Sequence, residues 1–235
     1  MRRTVYVVGA PKSGNTWLSR LMGDVLDSPI VGARNPKSGI VSKPLAEEGE
    51  DRGGGFLIHP EHMTFVWPGA DTIIYIYRDP RDVVVSAYHY WKNFSWGHMV
   101  DVVIGGGWPY RGGWKPMMEL WYAQDNSDFI VSYEGLHEDA YGSISGIVQG
   151  LGLPVVPEKI RSSIDNQSFG KRVRAINNKL PYGIDGQKNL MRKGVVGDWR
   201  NYLDTACCKK IHDECFEWMT LLGYEINPDW WKRDE

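Results

Sequence analysis

The sequence predicts an α/β fold of three layers, a central, mostly parallel sheet flanked by helices, opened by a loop of P-loop-like form. Three observations carry this. Val5-Tyr6-Val7-Val8 and Thr72-Ile73-Ile74-Tyr75-Ile76-Tyr77 are short apolar, β-branched runs, the pattern of buried strands, and Phe129-Ile130-Val131 reads as a third strand. The first two are each followed by a segment with apolar residues at helical spacing. The junction after the first holds Gly9 and Gly14 in a short loop, and strand, glycine-containing loop and helix in that order open nucleotide-binding α/β folds.

The elements follow in order. Trp17, Leu18, Leu21, Met22, Val25 and Leu26 place the start of the first helix near Thr16. After the second strand, Pro80 suits a first helical position, and Val83, Val84, Ala87, Tyr88 and Trp91 give that helix one apolar face. A last amphipathic helix carries Ile211, Cys215, Trp218 and Leu222. Between these elements lie glycine-rich residues 31–55, glycines among aromatics at 104–114, and a basic stretch at 170–197 with few apolar residues until Leu190 and Met191. All are read as long loops, and loops of that length tend to be functional or disordered. With no internal repeat and no linker composition, residues 1–235 are expected to form a single domain.

Composition narrows the classes. At 42% hydrophobic and 24% charged, the chain reads as an ordinary soluble globular protein. A net charge of −2 argues against a broad nucleic-acid or anionic-membrane surface, so any anion site must be local. Cys207, Cys208 and Cys215 sit in one stretch without a CxxC pair, which points to neither zinc nor a disulfide framework but to reduced thiols in a cytoplasmic setting. The N-terminal apolar run ends at Ala10, too short for a signal sequence or a membrane span. Eleven Trp and 12 Tyr exceed what a core of this size requires; lining for a flat ligand and plain core packing are both open readings.

Gly9-Ala10-Pro11-Lys12-Ser13-Gly14-Asn15-Thr16 departs from the phosphate-loop pattern GxxxxGK[ST] in one respect: Asn15 takes the lysine position, and the lysine stands earlier, at Lys12. Turned-in backbone N–H groups and the helix N-terminus still suit an anion. The displaced charge argues against an ordinary ATP or GTP site. Arg78-Asp79-Pro80-Arg81-Asp82-Val83-Val84-Val85-Ser86 places an arginine fork at a strand end and a hydroxyl two turns into the next helix, a second candidate phosphate site. Arg192-Lys193-Gly194-Val195-Val196-Gly197-Asp198-Trp199-Arg200 supplies two cations and a glycine, a third.

Pro11 to Trp17 resembles the 5′-phosphosulfate loop of the cytosolic-type sulfotransferases that use 3′-phosphoadenosine-5′-phosphosulfate (PAPS), with Asn15 where that family usually has Thr. The other two segments resemble the family's 3′-phosphate segment and its Arg-Lys-Gly-x-x-Gly-Asp-Trp-Lys signature, here ending in Arg200, and all three occur in family order. The resemblance implies that Lys12, Ser13, Gly14, Asn15 and Thr16 hold the 5′-phosphosulfate. It implies that Arg78, Ser86, Arg192, Lys193 and Gly194 hold the 3′-phosphate, and that Trp17, Tyr133 and Phe169 surround the adenine. It also implies that residues 114–121 form a helix near the acceptor, and that PAPS is the co-substrate, PAP the product and no metal is needed.

Sulfuryl transfer needs charge stabilisation on the leaving oxygen, for which Lys12 is the candidate, and a base for the acceptor hydroxyl. By resemblance the base is a histidine of a Lys-Thr-His-x-x-Pro segment before the second strand. The matching residues are Leu57-Ile58-His59-Pro60-Glu61-His62, making His59 the first candidate, His62 the second and Glu61 a third. Leu57 replaces the family lysine, whose charge Lys43 is a candidate to supply. The expected reaction is transfer to a hydroxyl, or with less support an amine, of a small-molecule acceptor. A P-loop kinase of a small metabolite and a non-catalytic PAP or PAPS binder are the alternatives. Thr205-Ala206, without the family's dimer-motif glutamate in the stretch up to Lys210, predicts a monomer or a dimer built another way.

Overall fold

The computed structural model describes residues 2–31, 54–62, 70–107, 112–125, 127–178 and 192–232, with no side chains described at 175–178. Four parallel strands form one sheet in the order β2-β1-β3-β4, with β1 at Arg3–Val8, β2 at Phe56–Glu61, β3 at Thr72–Tyr77 and β4 at Phe129–Ser132. The helices are α1 (Asn15–Val25), α2 (Pro80–Tyr90), α3 (Trp96–Gly105), α4 (Trp114–Gln124), α5 (Tyr133–Glu138), α6 (Ala140–Gly150), α7 (Pro157–Asn166), α8 (Phe169–Asn178) and α9 (Thr205–Leu221). Lys43 lies outside the described residues, as do most of 31–55 and 179–191.

Side chains alternate across a strand, and β1 shows the two layers this produces. Val5 and Val7 pack with Leu18, Leu21 and Met22 of α1 and with residues of α6 and α7. Tyr6 and Val8 face the other way, toward Val83, Val84 and Ala87 of α2 and buried residues of α3, α4 and α9. β1 and β3 are buried on both faces, as their apolar runs predict, whereas β4, at an edge of the described sheet, leaves Ile130 exposed.

Two stretches read differently in the structure. Residues 56–61, assigned to no element from the sequence, form the strand β2, and residues 170–178 of the basic stretch belong to α8 rather than to a loop. The chain leaves β1 for β2 on one side and then passes to β3 on the other, so β1 and β3 part at a topological switch point. Ligands of open α/β sheets bind beyond the strand C-termini at such a point. The loop after β1 and the loop after β3 both open there.

Candidate active site

The loop after β1 is shaped by contacts only glycine allows. A Cβ on Gly9 would lie 2.1 Å from the Ile76 carbonyl oxygen, so β3 closes directly on the exit of β1. Gly14 has φ +106°, and a Cβ there would stand 2.8 Å from the Tyr133 ring. Gly14 caps α1 without a side chain, leaving the first-turn N–H groups to face the loop. Asn15 also braces the loop. Its amide donates to the carbonyls of Gly9 at 3.1 Å and Glu61 at 2.8 Å, tying the loop to the end of β2. A threonine, with a single hydroxyl proton, could serve only one of them.

Lys12 holds φ 72°, in the left-handed region that costs a side-chain-bearing residue free energy. Its ammonium lies 4.0 Å from the centroid of the Tyr90 ring and has no hydrogen-bond partner among the described residues. Burial, reinforced by the Arg78 charge, pulls its pKa down to about 7. Buried polar atoms without partners gather here: Lys12 Nζ, Ser13 Oγ, Asn15 Oδ1 and Arg78 Nε. Folded proteins rarely leave such groups unmet, and a cluster around an anion loop marks the place of a ligand.

Arg78 leaves β3 beside this loop. The Trp114 indole donates to its carbonyl at 3.0 Å, and its guanidinium lies 4.1 Å over the Tyr133 ring. The same guanidinium donates to the carbonyls of Lys12 (3.3 Å) and Val195 (3.4 Å), joining the first and third segments. Asp82 accepts from the backbone N–H of Gly197 at 2.6 Å and of Trp199 at 3.0 Å, fixing the third segment onto α2. Ser86 follows Asp82 by one helical turn and so lies on that same face of α2. Arg192 and Lys193 both donate to Asp198, and both pack over Tyr202, at 5.3 and 5.2 Å. Burial alone would raise the Asp198 pKa; hydrogen bonds from Asn201, Arg192 and Lys193 hold it down at about 2.

The expected adenine residues also converge. Trp17 meets Tyr133 edge-on at 5.7 Å. Phe169, the first residue of α8, abuts Gly194, where a Cβ would stand 2.9 Å from its ring and φ is +64°.

The base candidates separate. His59 sits within β2, opposite Tyr6 in the parallel register, and stacks on that ring at 4.9 Å. Glu61 is the last residue of β2, buried and opposite Val8. His62 follows at the strand's C-terminal end, with Nδ1 3.3 Å from the Gly9 carbonyl. Burial, and secondarily the Lys12 charge, lower its pKa, while the Gly9 bond opposes them. Leu57 lies further down β2, opposite Thr4.

Three residues escaped the sequence reading. His137 of α5 shares a 2.9 Å hydrogen bond with the Gly194 carbonyl and meets Trp17 and Tyr133 at 6.3 and 6.2 Å. His89 of α2 lies edge-on to Tyr202 at 5.0 Å. Tyr90 carries the Lys12 ammonium. Only their nearness to the recognised motifs could have drawn attention to them.

A phosphate loop, an arginine at the next strand end and a basic third segment pinned across both define a nucleotide-dependent group-transfer enzyme of the α/β class. The sulfotransferase domain model matches residues 64–223, more than half the chain, and the chain belongs to that family: it is a PAPS-dependent sulfotransferase. Human sulfotransferase 2A1 is 30% identical over 255 residues, covering 95% of this chain and 87% of the relative. The structure of mouse sulfotransferase SULT7A1 complexed with PAP superimposes with a TM-score of 0.71 at 22% identity, over 92% of this chain and 84% of that one. A retinol dehydratase solved with androsterone and PAP gives 0.66 at 17% identity, over 93% and 81%. These two likenesses support the fold. Among the described residues, no helix is long and apolar enough to cross a membrane, and no group of three or more His, Cys, Asp or Glu is placed to hold a metal.

Proposed function

We propose that residues 1–235 act as one domain that moves a sulfuryl group from PAPS to a hydroxyl, or with less support an amine, of a small-molecule acceptor in the cytoplasm, releasing PAP. The observation that carries the donor assignment is the cluster of partnerless buried polar atoms on Lys12, Ser13, Asn15 and Arg78. Their chemistry, cations and donors around an uncapped helix start, fits an anionic phosphosulfate. PAPS supplies, when bound, a sulfuryl group already activated as an anhydride with the 5′-phosphate.

The chain's own residues divide the remaining work. Lys12, Ser13, the N–H groups of Gly14, Asn15 and Thr16, and the Thr16 hydroxyl bind the 5′ end. Lys12, charged, stabilises the negative charge that develops on the leaving phosphate oxygen. Arg78, Ser86, Arg192, Lys193 and Gly194 take the 3′-phosphate, and Trp17, Tyr133 and Phe169 the purine. With Lys12 and Arg78 supplying positive charge, we expect no metal requirement.

For the base, the geometry favours His62 over His59. A carbonyl only accepts, so the Gly9 contact places the His62 proton on Nδ1 and leaves the Nε2 lone pair to receive the acceptor's proton. The lowered pKa keeps that ring neutral near neutral pH. His59 supports the strand through its stack on Tyr6. The acceptor class is a flat or apolar hydroxyl compound, which the chain's aromatic content favours. A dimer, if formed, does not use residues 200–210.

The test is thermal stabilisation by PAP, with ADP and Mg-ATP as controls, followed by transfer to a panel of hydroxyl acceptors. A ligand at about 100 times its Kd stabilises by about 2.7 kcal/mol, a readable shift. A shift with PAP alone shows that the 3′-phosphate is recognised. A shift with Mg-ATP and none with PAP would overturn the donor assignment.

A further inference from the structure

We propose that His137 is a positioning residue for the donor site: its imidazole holds the Gly194 carbonyl and thereby seats residues 192–195 against the nucleotide cradle. The proposal rests on the donor assignment above and adds a residue that no motif marks.

The third segment arrives from far along the chain and is fastened near its start by two side chains on consecutive carbonyls. Arg78 donates to Val195 O at 3.4 Å and His137 meets Gly194 O at 2.9 Å. The two fastenings differ in kind. Arg78 is itself a phosphate ligand in this reading, and its fork must be shared once an anion arrives. His137 binds no phosphate in this arrangement, so its hold on Gly194 is independent of the ligand. Because a carbonyl only accepts, Nε2 carries the proton, in the neutral ring and the charged one alike. The ring is oriented by its neighbours: Trp17 meets it edge-on at 6.3 Å, and Tyr133 lies tilted at 6.2 Å. Phe169 packs closely on Gly194, since even a Cβ there would stand 2.9 Å from its ring. Gly194 is thus held by a hydrogen bond and an aromatic contact, and Arg192 and Lys193, its immediate predecessors, are placed by it.

His137 is exposed, so its replacement threatens the fold little. The experiment compares wild type, His137→Ala and His137→Gln by calorimetric titration with PAP, and by kinetics with PAPS and acceptor varied separately. The expected result for His137→Ala is a PAP Kd and a PAPS KM raised about 3- to 10-fold, the scale of one net hydrogen bond. The kcat at saturating PAPS and the acceptor KM should hold, because placement of the donor clamp acts on binding. Gln, whose amide N–H can reach a carbonyl, should recover most of the loss. Gly194→Ala, which drives a Cβ into Phe169, should reproduce the donor-specific defect from the other side. Unchanged PAP affinity in His137→Ala overturns the proposal. So does a parallel loss in kcat and acceptor KM with a lowered melting temperature, which would mark a merely structural role. If wild type itself fails to bind PAP, the donor assignment falls, and the proposal with it; if wild type binds PAP and His137→Ala binds it equally, only the positioning role falls.

Discussion

Lys12 and Arg81 are both cations drawn into the protein beside the C-terminal edge of the sheet, and they are treated in opposite ways. Arg81 is 2% exposed and saturated. It forks onto Asp79 at 2.7–3.0 Å, donates to Glu225 at 3.0 Å and to the Tyr224 carbonyl at 3.1 Å, and lies against the Trp199 and Trp230 rings at 4.3 and 4.7 Å. Burial would lower its pKa, but Asp79 and Glu225 outweigh it and raise the value. Among the described residues Lys12 has a ring, a neighbouring arginine and no acid, and its pKa falls to about 7. A buried charge that is fully paired serves the architecture. One that is buried and left without a counter-ion is held for a ligand that brings the negative charge.

Four measurements break or sharpen that contrast. The largest effect belongs to the base: His62→Ala should lower kcat about 10²–10⁴-fold while PAP binding persists, and His59→Ala should cost far less. A rate lost only in His59→Ala would return the role to that residue. Lys12→Met should cut kcat about 10²–10³-fold, as losing one preorganised stabiliser does, with melting temperature unchanged or higher. Arg81→Met should do the reverse. Breaking a buried ion pair costs about 3–5 kcal/mol. A domain of this size then loses about 2–4 °C of Tm per kcal/mol. Arg81→Met with an unaltered melting curve would show that its partners do not stabilise the fold.

The smallest effect is the pH dependence of Lys12. Its pKa of about 7 in the folded protein lies below the ordinary 10.5. The folded state therefore binds fewer protons than the unfolded state between those values. This contribution to stability is least favourable below pH 7 and improves as pH rises toward 10.5. PAP, an anion, favours the charged lysine, so its affinity should fall across the same window. Melting temperature and PAP titration against pH, in wild type and Lys12→Met, check both signs; identical profiles in the two proteins would contradict the assignment.

How much of this the sequence announces depends on where each constraint resides. Phosphate binding imposes local demands, so Gly9 to Thr16 and Arg78 to Ser86 could be read from neighbouring letters. The apolar runs of β1 and β3 were legible because a strand buried on both faces needs little else, and that of β4 because three apolar residues in a row suit a strand even where Ile130 stays exposed. β2 was not, because His59, Pro60 and Glu61 break its pattern; it lies at one edge of the described sheet, where a proline in a strand is tolerated. The start of α8 was hidden by Lys171, Arg172 and Arg174, a basic run with no strong apolar face that reads as a loop. The choice between His59 and His62 turns on a register with β1 that one chain of letters does not display. His137 and Gly194 meet across a separation of 57 residues, which leaves no local trace.

The Arg81–Glu225 contact spans 144 residues, and it lies three residues beyond Arg78 in the donor cradle. During synthesis, all four described strands are complete by Ser132, long before Tyr224 and Glu225 leave the ribosome. At about 5–20 residues per second the nascent chain spends several seconds with these strands synthesised and Arg81 held by Asp79 but lacking Glu225 and the Tyr224 carbonyl. Arg81 thus gains its last partners only when residues 224 and 225 are made, and fragments stopped short of Glu225 should carry the phosphate loop yet bind PAP poorly.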